Sequence, residues 1–424
     1  MKLSSKGVSS TTIGLVIVLV VVVVAAGAYV ALAGVGKTAT ITETSVQTTT
    51  QTATSVATSV ATSVATSVAT SVATSVATAT VTSTYVSSQT SNTALSATLL
   101  EDGSSLLYPA FNLWIANFSQ YYPNVHITTG SGGSGKGVSE AAAGTVNIGA
   151  SDAFLTPAQV LANPGLLNIP LAISAQQINY NVNPTINAIH LNMSATILAE
   201  IYNGTITTWN DPRLAALQSS SVAAELPSTT IVPIHRFDSS GDTSIFTQYL
   251  SAGDHHWNTT VSFGTTVNWP SVPGSLSATG NSGMLTALSN TPGGIAYVGI
   301  SYLNTANQLK FGYAHLQNRA GNFVDITAAN IQAAVNARVA AVPTNETISL
   351  IYAPGANSYP IVNFEYAIVK TTQPSASVLA AVQTFLDWDI IYGNQGYYLL
   401  QVHFIALPGS VAQLSLAQIA SLHT

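Results

Sequence analysis

Cysteine is absent from this 424-residue chain, so neither disulfides nor thiolate metal sites hold it together. Charge is scarce as well: Asp, Glu, Lys and Arg make up 6% of the residues, far below the roughly 25% of an average soluble domain. Ten Lys and Arg stand against sixteen Asp and Glu, a formal net charge of -6. That balance excludes a broad nucleic-acid surface, which needs clustered cations. A small anion is a different matter, but most of the attraction must then come from backbone amides and hydroxyls.

What the chain does have begins with an apolar run. Lys2 and Lys6 precede an uncharged stretch from Gly7 to Gly36, whose centre, Ile13 to Ala33, is 21 mostly apolar residues long. A bilayer needs about 20, and the flanking positive charge predicts a cytoplasmic N-terminus with the remainder outside the cell. The expectation is an uncleaved single-pass anchor over residues 1–37; Lys6-Gly7-Val8-Ser9 also resembles the processing site of archaeal pilin-like signals. Residues 38–94 follow, dominated by Thr, Ser, Val and Ala, with six consecutive Thr-Ser-Val-Ala tetrads from Thr54 to Ala77. This composition builds no core and reads either as an extended, O-glycosylated stalk or as a plain disordered linker. Sequons at Asn117, Asn192, Asn203, Asn258 and Asn345 agree with an exported chain.

About 330 residues remain, enough for two domains. A strand-like Ala97 to Leu100 runs into Glu101-Asp102-Gly103-Ser104-Ser105, and a helical pattern spans Tyr108 to Tyr121. A second strand, Val125 to Thr129, feeds the Gly/Ser-rich turn Gly130 to Gly137 and a helix over Val138 to Ala143. That turn lacks Gly-Lys-Ser/Thr, so it is not a nucleotide P-loop. Val146 to Ala150 is a strand ending at Ser151-Asp152, where an Asp is a turn former or a ligand acceptor. Alternating strands and helices argue for a mostly parallel sheet with sites at strand ends. Ile169 to Val182 and Tyr359 to Val369 are apolar enough to cross between two lobes.

The densest chemistry lies in Arg236-Phe237-Asp238-Ser239-Ser240-Gly241-Asp242-Thr243. Thr230 to Ile234 reads as a strand before it, and Ile245, Phe246, Tyr249 and Leu250 repeat at helical spacing after it. The polar residues therefore occupy a helix N-terminus, where free amides and the helix dipole attract an oxyanion. Arg236 adds a forked donor that Asp238 can hold in place. An ordinary Ser/Asp cap beside a solvated Arg would have the same sequence.

Taken together, these motifs resemble the substrate-binding protein of phosphate ABC transporters, archaeal in type given the anchor and stalk. The likeness runs from about Leu99 to about Leu407. It rests on Gly130 to Gly137, on Thr145 to Asp152, and on Ile201-Tyr202-Asn203-Gly204 through Trp209-Asn210-Asp211. Arg236 to Thr243, Thr291 to Gly299 and Tyr359-Pro360-Ile361 complete it. The resemblance implies an α/β, two-lobed periplasmic-binding-protein-like fold joined by crossing hinge strands, with residues 95–179 and 356–424 in lobe I and 180–355 in lobe II. It implies phosphate contacts at Ser105 and Leu106, at Ser134 or, in an alternative register, Ser131, and at Asp152. On the opposite lobe it implies Arg236, Ser240, Gly241 and the amide of Asp242, with Asp238 as the partner of Arg236. Two positions depart from the family. Leu106 stands where Phe is usual, and Asp242 stands where a Thr hydroxyl is commonest. Thr243 supplies that hydroxyl through a one-residue shift, or Asp242 caps the helix or accepts a phosphate proton.

The expected function is capture of inorganic phosphate outside the cell and delivery to ABC-transporter permease subunits, by a membrane-anchored, monomeric binding domain with no cofactor, no metal and no catalytic residue. The alternatives are a surface phosphate-ester hydrolase and a ligand-free adhesin or surface-layer component. The sequence has no Ser beside a His base and no Asp/His cluster for two metals. Asp387, Asp389 and Glu365 lack a nucleophile motif, and His255-His256-Trp257 reads as a surface loop. His235 reads as a packing residue or one that supports Arg236 from behind, and Trp209, Trp257, Trp269 and Tyr297 read as core or lobe-interface residues.

Overall fold

The computed structural model describes residues 91–424. The anchor and nearly all of the stalk lie outside the described residues, and among those described no helix is long and apolar enough to cross a membrane. Twelve strands are described: β1 (Ala97–Gly103), β2 (Val125–Thr128), β3 (Ile148–Ser151), β4 (Leu166–Asn181), β5 (Asn192–Met193), β6 (Val232–Arg236), β7 (Leu276–Ala278), β8 (Gly294–Gly299), β9 (Gly312–Tyr313), β10 (His315–Gln317), β11 (Phe323–Val324) and β12 (Val362–Lys370). The main sheet runs β2-β1-β3-β12-β4-β8-β6-β7, with β9 beside β4, and β11-β10-β5 forms a small separate sheet.

The long strand β4 joins the two lobes. Leu166 to Ala175 pair antiparallel with β12, whereas Gln176 to Asn181 pair antiparallel with β8. The outer strands of the main sheet are parallel, β2-β1-β3 on one side and β8-β6-β7 on the other. Parallel strands need crossover helices and place loops at their carboxyl ends. β4 and β12 are buried nearly throughout, as continuous apolar runs covered on both faces should be.

Helix packing fixes the turns that matter. In the first lobe the helix Tyr108–Tyr121 lays Phe111 and Phe118 against the helix Ala376–Trp388. Phe118 meets Phe385 edge to face at 5.0 Å, and Trp114 Nε1 donates to the Gly393 carbonyl. In the second lobe Phe246 stacks on Tyr297 of β8 at 4.5 Å and meets Tyr202 at 4.9 Å. The helix Gly241–Gly253 is thereby pinned to the sheet.

Three local expectations are corrected. The second-turn helix starts at Ser134, four residues before Val138. Its turn is organised by Asp102, which accepts from the Gly132 amide at 2.8 Å and pairs with Lys136. β6 starts and ends two residues later than Thr230 to Ile234, so Arg236 is on the strand. Residues His255–Thr260 form a short helix, because Asp254 accepts from the Trp257 amide at 2.7 Å and Trp257 is buried.

Candidate functional site

The turns after β1, β3, β6 and β7 converge where the lobes meet. After β1, Ser104 accepts from the amides of Leu106 and Leu107 and donates to Asp152 Oδ1. After β3, Asp152 is buried, and Ser134 Oγ lies 3.3 Å from its Oδ2 while accepting from its backbone amide at 3.2 Å. Ser134 opens its helix behind Gly133, whose φ of 96° is left-handed territory that suits glycine. Burial pushes Asp152 up to about 7, aided by the charge of Asp242, while Ser104, Glu365 and Arg236 pull it down. Ser131 is exposed on the same turn, so Ser134 is the serine that reaches Asp152.

From the second lobe comes Arg236, buried at the end of β6. Its Nε donates to Asp238 Oδ1 at 2.7 Å, its Nη2 pairs with Asp238 Oδ2, and its Nη1 donates to Asp242 Oδ2 at 2.8 Å. Asp238 thus holds the guanidinium from one edge. Ser240 is the cap of the Gly241 helix, its hydroxyl accepting from the Thr243 amide. The helix N-terminus faces Asp152 at close range: a methyl group placed on Gly241 would lie 2.5 Å from Asp152 Oδ2 and from Ser134 Oγ. Gly135 N–H donates to the Ser239 carbonyl at 2.9 Å, another bond between the lobes.

Two of the three sequence accounts of the Asp242 region need correction. Thr243 does not stand in for the missing hydroxyl; its Oγ1 is 2.8 Å from the Tyr297 hydroxyl, in the aromatic core. Asp242 does not cap its helix, since Ser240 does. Instead the Asp242 carboxylate accepts from Arg236, from Asn281 Nδ2 at 2.7 Å and from Gln176 Nε2 at 3.1 Å. Burial raises it against the pull of Arg236, Asn281 and Gln176.

Ser105 and Leu106 lie on the first turn as expected, both buried. Ser105 Oγ accepts from Asn281, through the backbone amide at 3.1 Å and Nδ2 at 3.0 Å. Asn281, Gln176 and Ser104 were not anticipated. Asn281 had a readable signal: Thr279-Gly280-Asn281-Ser282 is one more small-residue helix start directly after a strand, β7. Gln176 lies inside an apolar strand and carries no local signature. Tyr297, read as packing, also accepts from the Arg236 amide at 2.8 Å. His235 stacks on Trp269 at 4.7 Å, as a packing residue. No group of three or more potential metal ligands occurs among the described residues.

A family model described as the PBP superfamily domain matches residues 87–390. The phosphate-binding protein PstS of Methanocaldococcus jannaschii is 32% identical over 346 residues, covering 77% of this chain and 87% of that protein. PstS of Pasteurella multocida is 31% identical over 326 residues, covering 77% and 91%. Among solved structures, a phosphate-binding protein from Stenotrophomonas maltophilia superposes with a TM-score of 0.56 at 18% identity, over 76% of this chain and 94% of that one. A putative phosphate ABC transporter substrate-binding protein from Clostridium perfringens, solved with bound phosphate, gives 0.53 at 16% identity, over 74% and 100%. At such identities the structural likeness concerns the fold, and the two lobes on crossing strands are that fold; together with the relatives named PstS, they make the chain a member of the phosphate-binding proteins within the PBP superfamily.

Proposed function

We propose that this chain is a solute-binding protein that closes two lobes on inorganic phosphate outside the cell and delivers it to the permease of an ABC transporter. The observation that carries the reading is Asp152: a buried carboxylate set among hydroxyls of one lobe and directly against a helix N-terminus of the other. An ionised carboxylate only accepts hydrogen bonds. Near neutral pH phosphate still carries a dissociable proton and can satisfy it, whereas sulfate has none to give. A buried charged group left without its partner costs upwards of about 1–3 kcal/mol. Asp152 is therefore the selectivity residue. Ser105, the Leu106 amide, Ser134, Ser240, Gly241 and the Asp242 amide serve as donors, and Arg236 supplies positive charge while Asp238 fixes its plane.

In this reading the chain is no enzyme. It is held at the membrane by residues 1–37, set away from it by the stalk of residues 38–94, and works as a monomer. Lobe I comprises residues 95–179 and 356–424, and lobe II residues 180–355. The test is a titration of the full chain in detergent with phosphate, arsenate, sulfate and molybdate, followed by Trp fluorescence. Phosphate saturates the protein at a concentration where sulfate does not, and a chromogenic phosphomonoester gives no colour. Asp152→Asn erodes the phosphate-to-sulfate ratio by tenfold or more, out of the roughly 10⁴ that sites built on such hydrogen bonds reach. A ratio unchanged in that variant would remove Asp152 from selectivity, and colour release would favour the esterase.

A further inference from the structure

Asp152 has a second carboxyl group against it. Glu365 lies on β12 with no solvent exposure, where the pairing with β4 slips in register between Glu365 and Tyr366. Such irregularities re-aim side chains and are common beside functional sites. Its Oε1 accepts from Ser174 Oγ and from Asn363 Nδ2 at 2.9 Å. Asn363 Nδ2 also donates to the Asp152 carbonyl at 3.0 Å, so β12 grips the Asp152 turn by backbone as well. Glu365 Oε2 is buried and meets no N–H or O–H donor, and the Glu365 carboxyl stands within hydrogen-bonding reach of the Asp152 side chain.

Two ionised carboxylates cannot share a dry contact without a cation between them. The nearest cation, Arg236, is engaged by Asp238 and Asp242. Neither of the other titratable groups facing the pair reaches Glu365 Oε2: Asp242 is engaged by Arg236, Asn281 and Gln176, and the Tyr366 hydroxyl donates to the Glu346 carbonyl. One proton on Glu365 Oε2 resolves both anomalies, since it gives the orphaned oxygen a partner and removes one of the two charges. We propose that Glu365 is a protonated acid that donates a hydrogen bond to Asp152, and so holds Asp152 as the ionised acceptor that selects a proton-bearing anion. Glu365 is in this sense a positioning residue, and the selectivity part of the claim rests on the phosphate reading above. Burial and the charge of Asp152 both raise the affinity of Glu365 for its proton, in keeping with that assignment.

Two substitutions separate donor from bulk. Glu365→Gln keeps an acceptor for Ser174 and Asn363 and offers an N–H to Asp152; Glu365→Leu keeps bulk and removes the donor. In titrations of the full chain with phosphate and sulfate from acid to alkaline pH, the Gln variant holds the phosphate-to-sulfate ratio of the natural protein. The Leu variant lowers it roughly ten- to hundredfold, the effect of losing a hydrogen bond to a charged group. Its acid limb of phosphate binding also moves to higher pH, because Asp152 without its donor keeps its own proton longer. Equal ratios and pH profiles in all three proteins, or a Gln variant as impaired as the Leu variant, would overturn the proposal. Infrared difference spectroscopy of Glu365→Gln against the natural protein at neutral pH supplies a readout independent of any ligand. The carbonyl stretch of a protonated carboxylic acid disappears in the variant, and absence of that change overturns the assignment even where the Leu variant fails to fold. Failure of the natural protein to prefer phosphate would instead count against the proposed function while leaving the infrared result to decide the proton.

Discussion

Asp242 places a second acid in a site built for an anion. Its charge is answered by Arg236 at 2.8 Å and by the amides of Asn281 and Gln176, and it lies close enough to Asp152 to resist the ionisation of that acid. Asp242→Thr deletes one negative charge from that pair, so Asp152 ionises at lower pH and a doubly charged phosphate meets less repulsion. The expected result is tighter phosphate binding, with the gain growing from pH 6 to pH 9. Arg236 and Asn281 lose an acceptor in exchange, which costs about 1–3 kcal/mol of stability, visible as a lower melting temperature without ligand. Identical affinities at both pH values would mean that Arg236 fully neutralises Asp242. What the sequence disclosed at this scale divides by distance along the chain. Arg236 and Asp238 are two residues apart and readable as a pair, whereas Gln176 and Asn281 meet Asp242 from segments 66 and 39 residues away. Ser104 was overlooked for another reason: it stands beside Ser105, and only the backbone decides which hydroxyl turns toward Asp152.

Helix starts at strand ends are the recurring element, and their positions were readable because strand, small-residue turn and helix follow within a few residues. Their exact bounds were not, since hydrogen bonds from distant residues set them: Asp102 advances the Ser134 helix to its first serine, and the pairing of Arg236 with Ala278 of β7 carries β6 to its end. The Gly241 helix gives the sharpest test of how these elements meet. Gly241 itself is in ordinary helical geometry, so alanine suits its backbone and raises intrinsic helix stability by about 0.5–1 kcal/mol. The added methyl, however, would lie 2.5 Å from Asp152 Oδ2 and Ser134 Oγ, across the junction of the lobes. Gly241→Ala therefore weakens phosphate binding by at least about tenfold, the effect of a misplaced buried contact, while the melting temperature without ligand is unchanged or slightly higher. Loss of stability together with affinity would show that the contact belongs to the fold rather than to closure.

At the scale of the whole molecule, scarcity of charge has a consequence for buried acids. With ten Lys and Arg in the chain, most interior carboxyls cannot be paired and stay neutral instead. Burial pushes Glu101 up to about 8, opposed by its bond from Thr129 and reinforced by Asp102. Asp389 is raised well above its usual range by burial and then by Glu101, and both of its oxygens lack a donor. For a group whose affinity for its proton is higher in the folded chain than in the unfolded one, folding stability is fully present below the unfolded value and is lost as pH rises through the folded value. For Glu101 that window runs from about 4.5 to about 8. Below pH 6.5 the half-buried histidines His235, His315 and His403, whose protonation is disfavoured by partial burial, begin to act in the opposite direction. Between pH 6.5 and 8 the acids act alone. Each acid that stays protonated in the fold while ionised in the unfolded chain removes about 1.4 kcal/mol per pH unit, worth roughly 2 °C per kcal/mol in a domain of this size. The ligand-free protein should therefore melt several degrees lower at pH 8 than at pH 6.5, and Glu101→Gln, neutral at every pH, should remove its share of that slope. A melting temperature flat across the interval in the natural protein would mean that the interior acids are ionised and paired after all, contrary to what so few cations permit.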